Sequence, residues 1–457
     1  MAAASNYFPV ANPTLPFWHS EEDSFKNLRS TPELPQETDI LIIGGGYAGA
    51  AVGYWTYKEA GSTPPKVLML EARFIGSGAT GRNGGHLKPD YYREYLSFEK
   101  RFGQKDAASI GNFEHDHLAA LKEAIEDLNI DCDFVLTRAC NVHLTKGAVA
   151  GCLKAMQALR KNPYTKVLND IQVQFGSNAE ITSICEDSPL SLTFTAGHLW
   201  PYKMVKGFLQ YCIEKGMNVQ TYTTVTSIEK QKDGSYIVHT NRGSVKTKKV
   251  VLATNAYTAG LAPEFEDRII PVKGTCSHIK VQDGDKPAPY LSNTYGICRD
   301  FTNHEYLINR PDGTVIVGGA KPYYLKDKDA WYKNVDDSTL FAGDVKGWYE
   351  TFMQNHFYTW KDAKTEVDYL WTGILGYSAD ALPWIGESPD QSNKYIIGGF
   401  HGHGMPRIFL SAKAIAQMML NNVPVQMTDI PVPFMLTAER LRNARNTVLK
   451  DTGFSKL

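Results

Sequence analysis

The sequence predicts an α/β fold in two intimately joined parts, one of them a Rossmann-like nucleotide-binding unit. Three observations carry that expectation. At 457 residues the chain exceeds what one ordinary hydrophobic core organises. A buried strand, a glycine turn, a helix and a second strand follow one another within residues 39–72, the pattern of a βαβ unit with parallel strands. Near the far end, a strand, a glycine loop and a helix recur in "KYIIGGFHGHGMPRIFLSAKAIAQMMLNN".

Taken in order, residues 1–38 are rich in Pro, Ser and Glu and read as an extension over the surface. "DILII" is a short buried strand, "GGGYAG" the turn, "AAVGYWTYKEAG" the helix and "KVLMLEA" the second strand. Residues 92 to about 130 are helical, with apolar positions three and four apart in "LAALKEAIEDL". Residues 131–197 mix short strands with one helix. "PYKMVKGFLQYCIEKG" is an amphipathic helix leading into the strands "NVQTYTTVTSIEK", "SYIVHT" and "GSVKTKKVVLATNA". Strands alternate with turns from 271 to about 369, and "RPDGT" (310–314) is a hairpin connection.

Composition removes several functions. A net charge of −1 offers no field for nucleic acid or an anionic membrane. Seven scattered cysteines without a CxxC pair argue against a disulfide framework, a zinc knuckle and a dithiol redox site. The run "ILIIGGGYAGAAVGYW" is read as a buried turn, not a membrane span.

The fingerprint Gly44-x-Gly46-x-x-Gly49 gains meaning from its setting after a strand and before a helix. Gly44 permits the tight turn, Gly46 lets backbone approach a pyrophosphate, and Gly49 lets helix and strand pack closely. Tyr47 and Ala48 open the helix, whose N–H groups and positive dipole end favour phosphate. Glu71, ending the second strand, can accept both hydroxyls of a ribose. With Ala72 begins a long glycine-rich loop, "ARFIGSGATGRNGGHLKPD". It brings Ser77, Gly78, Thr80, Arg82, Asn83, Gly84, Gly85 and His86, with Ser77, Thr80, Arg82 and Asn83 as donors. A second wrapping loop suits a tightly held flavin better than a soluble nicotinamide, so FAD is the expected cofactor.

Together with "LWPYKMVKGFLQYC", "VVLATNAY" and "WTGILGYSADALPWIG", these segments give a chain that resembles the D-amino-acid oxidase superfamily of FAD-dependent amine oxidoreductases. Its sarcosine oxidase and γ-glutamylputrescine oxidoreductase branch is the nearest pattern. The resemblance implies a discontinuous FAD domain of the glutathione-reductase type (39–91, 198–270, 370–457). It also implies an α+β substrate domain on an antiparallel sheet (92–197, 271–369). It implies that Val225 faces adenine and that Thr254 and Asn255 lie along the cofactor. Gly373 and the loop of Gly399, His401, Gly402, His403, Gly404 and Met405 would face the flavin ring. The implied reaction is oxidation of an amine or amino acid by hydride transfer to the flavin, the imine then hydrolysing and the electrons passing to O2 to make hydrogen peroxide. The alternatives are a dehydrogenase with another acceptor and a catalytically idle flavoprotein. The stretch from Gly373 to Tyr377 lacks the cysteine through which sarcosine oxidases attach flavin, and His86 is the candidate for a histidyl link, with an ordinary loop histidine the preferred reading.

His401 and His403 supply too few ligands for a metal, so no metal is expected; they are candidates for orienting the ring or shaping the amine pocket. Lys273 is a candidate for activating dioxygen. Arg310 and Arg299 are candidates for a carboxylate clamp, and Tyr306 and Trp371 for pocket walls. The chain ends in Ser455, Lys456 and Leu457, a peroxisomal address read by an import receptor, so a peroxisomal enzyme is expected.

Overall fold

The computed structural model describes residues 7–176, 183–184, 188–300 and 304–452, so the expected address at 455–457 lies outside the described residues. Among these, the strands form two sheets, of eight and nine strands. In the first, β1 (Glu37–Ile43) runs parallel to β2 (Val67–Leu70) on one side and to the strand Gly243–Leu252 on the other. The parallel run continues to Asn218–Gln220 beyond β2 and to Gln391–Gly398 at the other side. Leu41 and Ile42 are fully buried, as expected of a central parallel strand covered on both faces.

Helix α1 (Tyr47–Glu59) has ten residues buried, which explains why its sequence shows no polar stripe. It lies between the helices Pro201–Glu214 and Ile408–Asn421. Gly53 sits where a Cβ would come within 3.3 Å of Cys212 Sγ, so the helices approach closely.

The second sheet is antiparallel except where Asn293–Cys298 runs parallel to Val135–His143. Its longest pair joins Ile269–Val281 to Thr365–Ser378, with a bulge after His278. The short strand His86–Leu87 ends this sheet against Leu190–His198. Thus His86–Leu87 and residues 370–378 belong to the second sheet, although they fall inside segments expected in the FAD domain. The chain changes sheets within the very segments that border the cavity between them. The helical stretch expected from 92 is α2 (Tyr95–Asp127), kinked at Gly103, where φ is +81°.

The N-terminal extension lies on the surface over residues 20–37 but sends residues 16–19 inward. Trp18 is fully buried and its Nε1 donates to the Asn83 carbonyl at 2.6 Å. The Phe17 ring stacks on His278 at 3.9 Å. Two large aromatic rings bury too much apolar area to stay on the outside, and the Pro- and Glu-rich composition around them hid this.

Four histidines are buried without gaining a charge partner that offsets desolvation. Burial pulls His19 and His117 down to about 3, and His143 and His198 down to about 4. Unfolded imidazoles take up protons near 6.5, so below that pH the unfolded chain binds more protons than the folded one. Stability is therefore full above about pH 6.5 and falls as the pH drops towards 4, by about 1.4 kcal/mol per unit for each histidine. Urea midpoints measured at pH 7 and pH 5 check this, and equal midpoints would contradict it.

No described helix is long and apolar enough to cross a membrane.

Candidate active site

A cavity of about 1300 Å³ runs from the C-terminal ends of β1 and β2 to the face of the second sheet. It is larger than the 300–1,000 Å³ of an ordinary small-molecule site. At one end lie Gly44, Gly46, Tyr47 and Ala48, with Glu71, Ala72 and Val225 beside them. Gly44 has φ +112°, and a Cβ there would sit 2.6 Å from the Ala253 carbonyl oxygen. Only glycine makes that turn. Gly49 does not reach the cavity; its missing side chain lets α1 approach the turn, since a Cβ would lie 1.9 Å from the Gly44 oxygen. The Glu71 carboxylate accepts from the Gly45 N–H at 2.7 Å and the Arg73 N–H at 2.9 Å, and burial raises its pKa. It is held rigidly where β2 ends.

The glycine-rich loop divides into lining and support. Ser77, Gly78, Thr80, Gly84 and His86 line the cavity, and Thr80 Oγ1 accepts from the Tyr47 N–H at 2.8 Å, tying the loop to the first turn. Gly85 lies behind, against the Leu199 carbonyl and Trp18. Arg82 and Asn83 also border the cavity, and much of their donor capacity is engaged within the protein. Arg82 donates to the Ser77 and Thr372 carbonyls and to both oxygens of Thr14. The Asn83 amide donates to the Ala79 and Thr80 carbonyls. Both help to shape the loop. Arg73 and Arg82 converge on Asp337, which is fully buried.

Across the cavity, Thr254, Asn255 and Gly373 line the wall. Asn255 Oδ1 accepts from the Gly399 N–H at 3.0 Å, so Gly399 supports the loop and does not line the space. His401, Gly402, His403, Gly404 and Met405 do line it. His401 has φ +55°, its N–H donates to the Gly376 carbonyl at 2.8 Å, and burial brings its ring down to about 4, leaving it neutral at neutral pH. His403 Nε2 lies 3.0 Å from Glu114 Oε2, and Arg407 Nε donates to the other oxygen at 2.6 Å. This buried carboxylate also accepts from the Asp90 N–H, so α2 pins the histidine loop and the glycine-rich loop together. The helix after the loop starts at Ile408, two residues beyond Pro406.

At the second-sheet end, Lys273 and Tyr306 face the cavity as expected. Lys273 Nζ donates to Thr339 Oγ1 at 2.8 Å, and Tyr306 Oη lies 3.0 Å from Cys276 Sγ. Three other candidates do not arrive. Arg310 is buried under the hairpin, paired with Asp133 and Asp312 and stacked against Phe17 and Trp200. Arg299 lies outside the cavity, bonded to His356. Trp371 stands behind the glycine-rich loop, donating its Nε1 proton to the Arg82 carbonyl. Arg310 and Trp371 are buried supports of the structure, and Arg299 is exposed. In their place the cavity receives Lys88, Asp90, Arg93, His304 and Lys321. The charged run "HLKPDYYRE" directly after the glycine loop was a local sign for the first three. His304, just before the strand Glu305–Asn309, and Lys321, at the start of a short helix, come from distant parts of the chain and carry none.

These features are those of a dinucleotide cradle continued by a second compartment, and comparison with known proteins agrees. Residues 39–418 match the family model described as FAD dependent oxidoreductase (DAO). The chain belongs to that family. γ-Glutamylputrescine oxidoreductase of Escherichia coli is 26% identical over 386 residues, 83% of each chain. Glycine oxidase of Bacillus subtilis is 23% identical over 410 residues, 84% of this chain and 93% of its own. The crystal structure of glycine oxidase from Geobacillus kaustophilus shares the fold, with a TM-score of 0.67 over 88% of this chain and 99% of that one, at 19% identity.

Membership makes the protein an FAD-dependent oxidoreductase acting on amines or amino acids. The residues present fit FAD: the glycine cradle leaves room that any Cβ would fill, and Glu71 ends β2 beside it. Membership also corrects one expectation. These relatives are bacterial enzymes, and bacteria have no peroxisomes, so the peroxisomal location and the import receptor expected from Ser455–Lys456–Leu457 are withdrawn.

Proposed function

We propose that this family member oxidises the C–N bond of an amine or amino acid and passes the electrons to dioxygen. The overall reaction consumes the amine, O2 and water and yields a carbonyl compound, the released amine or ammonia, and hydrogen peroxide. With FAD bound, the chemistry available is acceptance of a hydride from the carbon bearing nitrogen and later delivery of two electrons. The observation that carries the reading is one continuous cavity joining the glycine cradle to Lys273, Tyr306 and residues 401–405.

The chain's own residues divide the work. Tyr306 walls the compartment where the amine lies. The backbone around Gly402 and Gly404 brings polar groups to a ligand without side-chain obstruction. His401 shapes that loop as a neutral ring, and His403 is held by Glu114. Lys273, 3% exposed, places a positive charge where negative charge develops on oxygen as it is reduced. His86, one ring nitrogen of which is engaged by Thr294 Oγ1 at 2.8 Å, is the residue to inspect for a covalent flavin, by asking whether yellow colour follows the protein on acid precipitation.

An amine panel tests the function. Under anaerobic conditions one or more amines should bleach the flavin, and under air the same amines should yield peroxide. Bleaching without peroxide would make the enzyme a dehydrogenase with another acceptor, and no bleaching by any amine would sink the proposal. Lys273→Met is expected to slow reoxidation by O2 about 100-fold while anaerobic reduction by the amine changes little. Stopped-flow measurement of the two half-reactions separates them; equal slowing of both would refute the oxygen role.

A further inference from the structure

Residues 7–14 lie outside the stretch that matches the family model, which begins at residue 39. Two of them nevertheless line the cavity, Phe8 and Pro9. The segment that carries them is fastened at several points. Gly260 makes room for it, since a Cβ there would come 2.9 Å from the Tyr7 carbonyl oxygen and 3.4 Å from Phe8 Cε2. Arg73, two residues past Glu71, donates to the Val10 carbonyl at 3.2 Å. The Thr14 N–H donates to the Asp337 carbonyl at 2.8 Å, and both oxygens of Thr14 accept from Arg82. Ordering a chain segment costs conformational entropy at every residue, and these bonds offset that cost. Phe8 and Pro9 are thus held between Gly260 and the end of β2.

The chemistry around them is that of a nucleoside site. Leu261 and Val225 line the cavity as apolar neighbours, while Glu71 offers a carboxylate where β2 ends. Apolar surfaces suit the faces of a flat ring, and a carboxylate at that point suits ribose hydroxyls. A further sign of a missing ligand comes from Tyr257, in the same helical turn as Gly260 (Asn255–Gly260). Tyr257 lines the cavity, and its hydroxyl is buried with no hydrogen-bond partner among the described residues. A buried O–H left unpaired is costly. A ribose or phosphate oxygen would accept its proton.

We propose that this N-terminal segment is part of the FAD site, with Phe8 and Pro9 forming the outer wall against the adenine ring. The cofactor then gains a contact from a part of the chain that the family match leaves out. FAD leaves only when the segment lifts from Gly260, and the flavin end of the site does not feel it. The inference rests on FAD alone, not on which amine is oxidised or which acceptor takes the electrons.

Full-length apoprotein tests this with three probes. ADP carries the adenosine and phosphates without the flavin, FMN carries the flavin without the adenosine, and FAD carries both. Phe8→Ala should weaken FAD and ADP about 10-fold or more, the effect of a base losing an aromatic face, and leave FMN within about two-fold. Phe8→Tyr keeps an aromatic face and should bind all three like the wild type. A segment that merely props the cavity would loosen FMN as much as the others. Hydrogen exchange on the wild-type chain gives a second reading: FAD and ADP should protect residues 7–14, and FMN should not. Unaltered FAD and ADP binding by Phe8→Ala, equal weakening of FMN, or no protection of residues 7–14 by FAD would overturn the proposal. If Phe8→Ala does not fold, the exchange measurement decides. An enzyme that no amine bleaches leaves this result standing, and a Phe8→Ala protein that holds FAD normally leaves amine oxidation standing.

Discussion

Gly49→Ala is expected to give a protein that no longer retains flavin. The added methyl would stand 1.9 Å from the Gly44 carbonyl oxygen and 3.2 Å from the Met69 methyl. The first of these is backbone, and the Gly44 turn is itself locked, with φ at +112° and the Ala253 carbonyl against it. Relief must come from α1 moving off β1. That helix is wedged between two others, so the cost is about 3 kcal/mol, the upper end of overpacking effects. Displacing α1 also moves the Tyr47 N–H, through which Thr80 ties the glycine-rich loop to the first turn of the helix. Absorbance at 450 nm after gel filtration reads the loss, with urea denaturation reporting the accompanying fall in stability. A yellow Gly49→Ala protein of wild-type stability would show that the packing described here is wrong.

The second large effect is expected far from the fingerprint. Asp337→Asn should destabilise the protein by about 3–5 kcal/mol and release flavin before global unfolding. Asp337 receives Arg73 at 2.9 and 3.1 Å, and Arg82 approaches to 3.3 Å. All three are buried. Neutralising the carboxylate leaves two guanidinium groups facing each other without a counter-charge. Burial already depresses the Arg82 pKa to about 10, a sign of how much that arginine depends on its partner. Because the two arginines bracket the glycine-rich loop, the loop should loosen first. Urea curves followed separately by flavin fluorescence and by circular dichroism check this: the flavin transition should come at lower urea, and coincident wild-type curves would count against it.

The difference between these two positions shows what could be read without coordinates. Gly44, Gly46, Gly49 and Glu71 declare themselves because a phosphate turn demands particular residues at fixed spacing along one local unit. The first sheet, α1 and the choice of FAD followed from that unit and the loop behind it. The loop at 401–405 is placed by the resemblance and Lys273 and Tyr306 are candidates by residue type, and all of them line the same cavity. Arg310 misled because a buried arginine at a strand end has the same local look whether it faces a ligand or a neighbouring aspartate. Asp337 and Glu114 gave no sign at all. Asp337 takes Arg73 and Arg82, and Glu114 takes Arg407 and His403, from distant parts of the chain, and nothing in the run of residues around either carboxylate encodes those arrivals. Trp18 was hidden for another reason: its neighbours are polar, and only a three-dimensional slot beneath Gly85 makes it core.

The position of the N-terminal segment bears on how the enzyme comes into being. The Thr14 N–H donates to the Asp337 carbonyl across 323 residues of sequence, and both oxygens of Thr14 hold Arg82. The cradle's floor is therefore finished by two residues, one of which is made 323 residues after the other. A βαβ unit of residues 37–70 can form early from local contacts, whereas the floor must wait for this long closure. Flavin loading then waits until residue 337 has been made, and the βαβ segment passes through that stage of synthesis with its glycine cradle open.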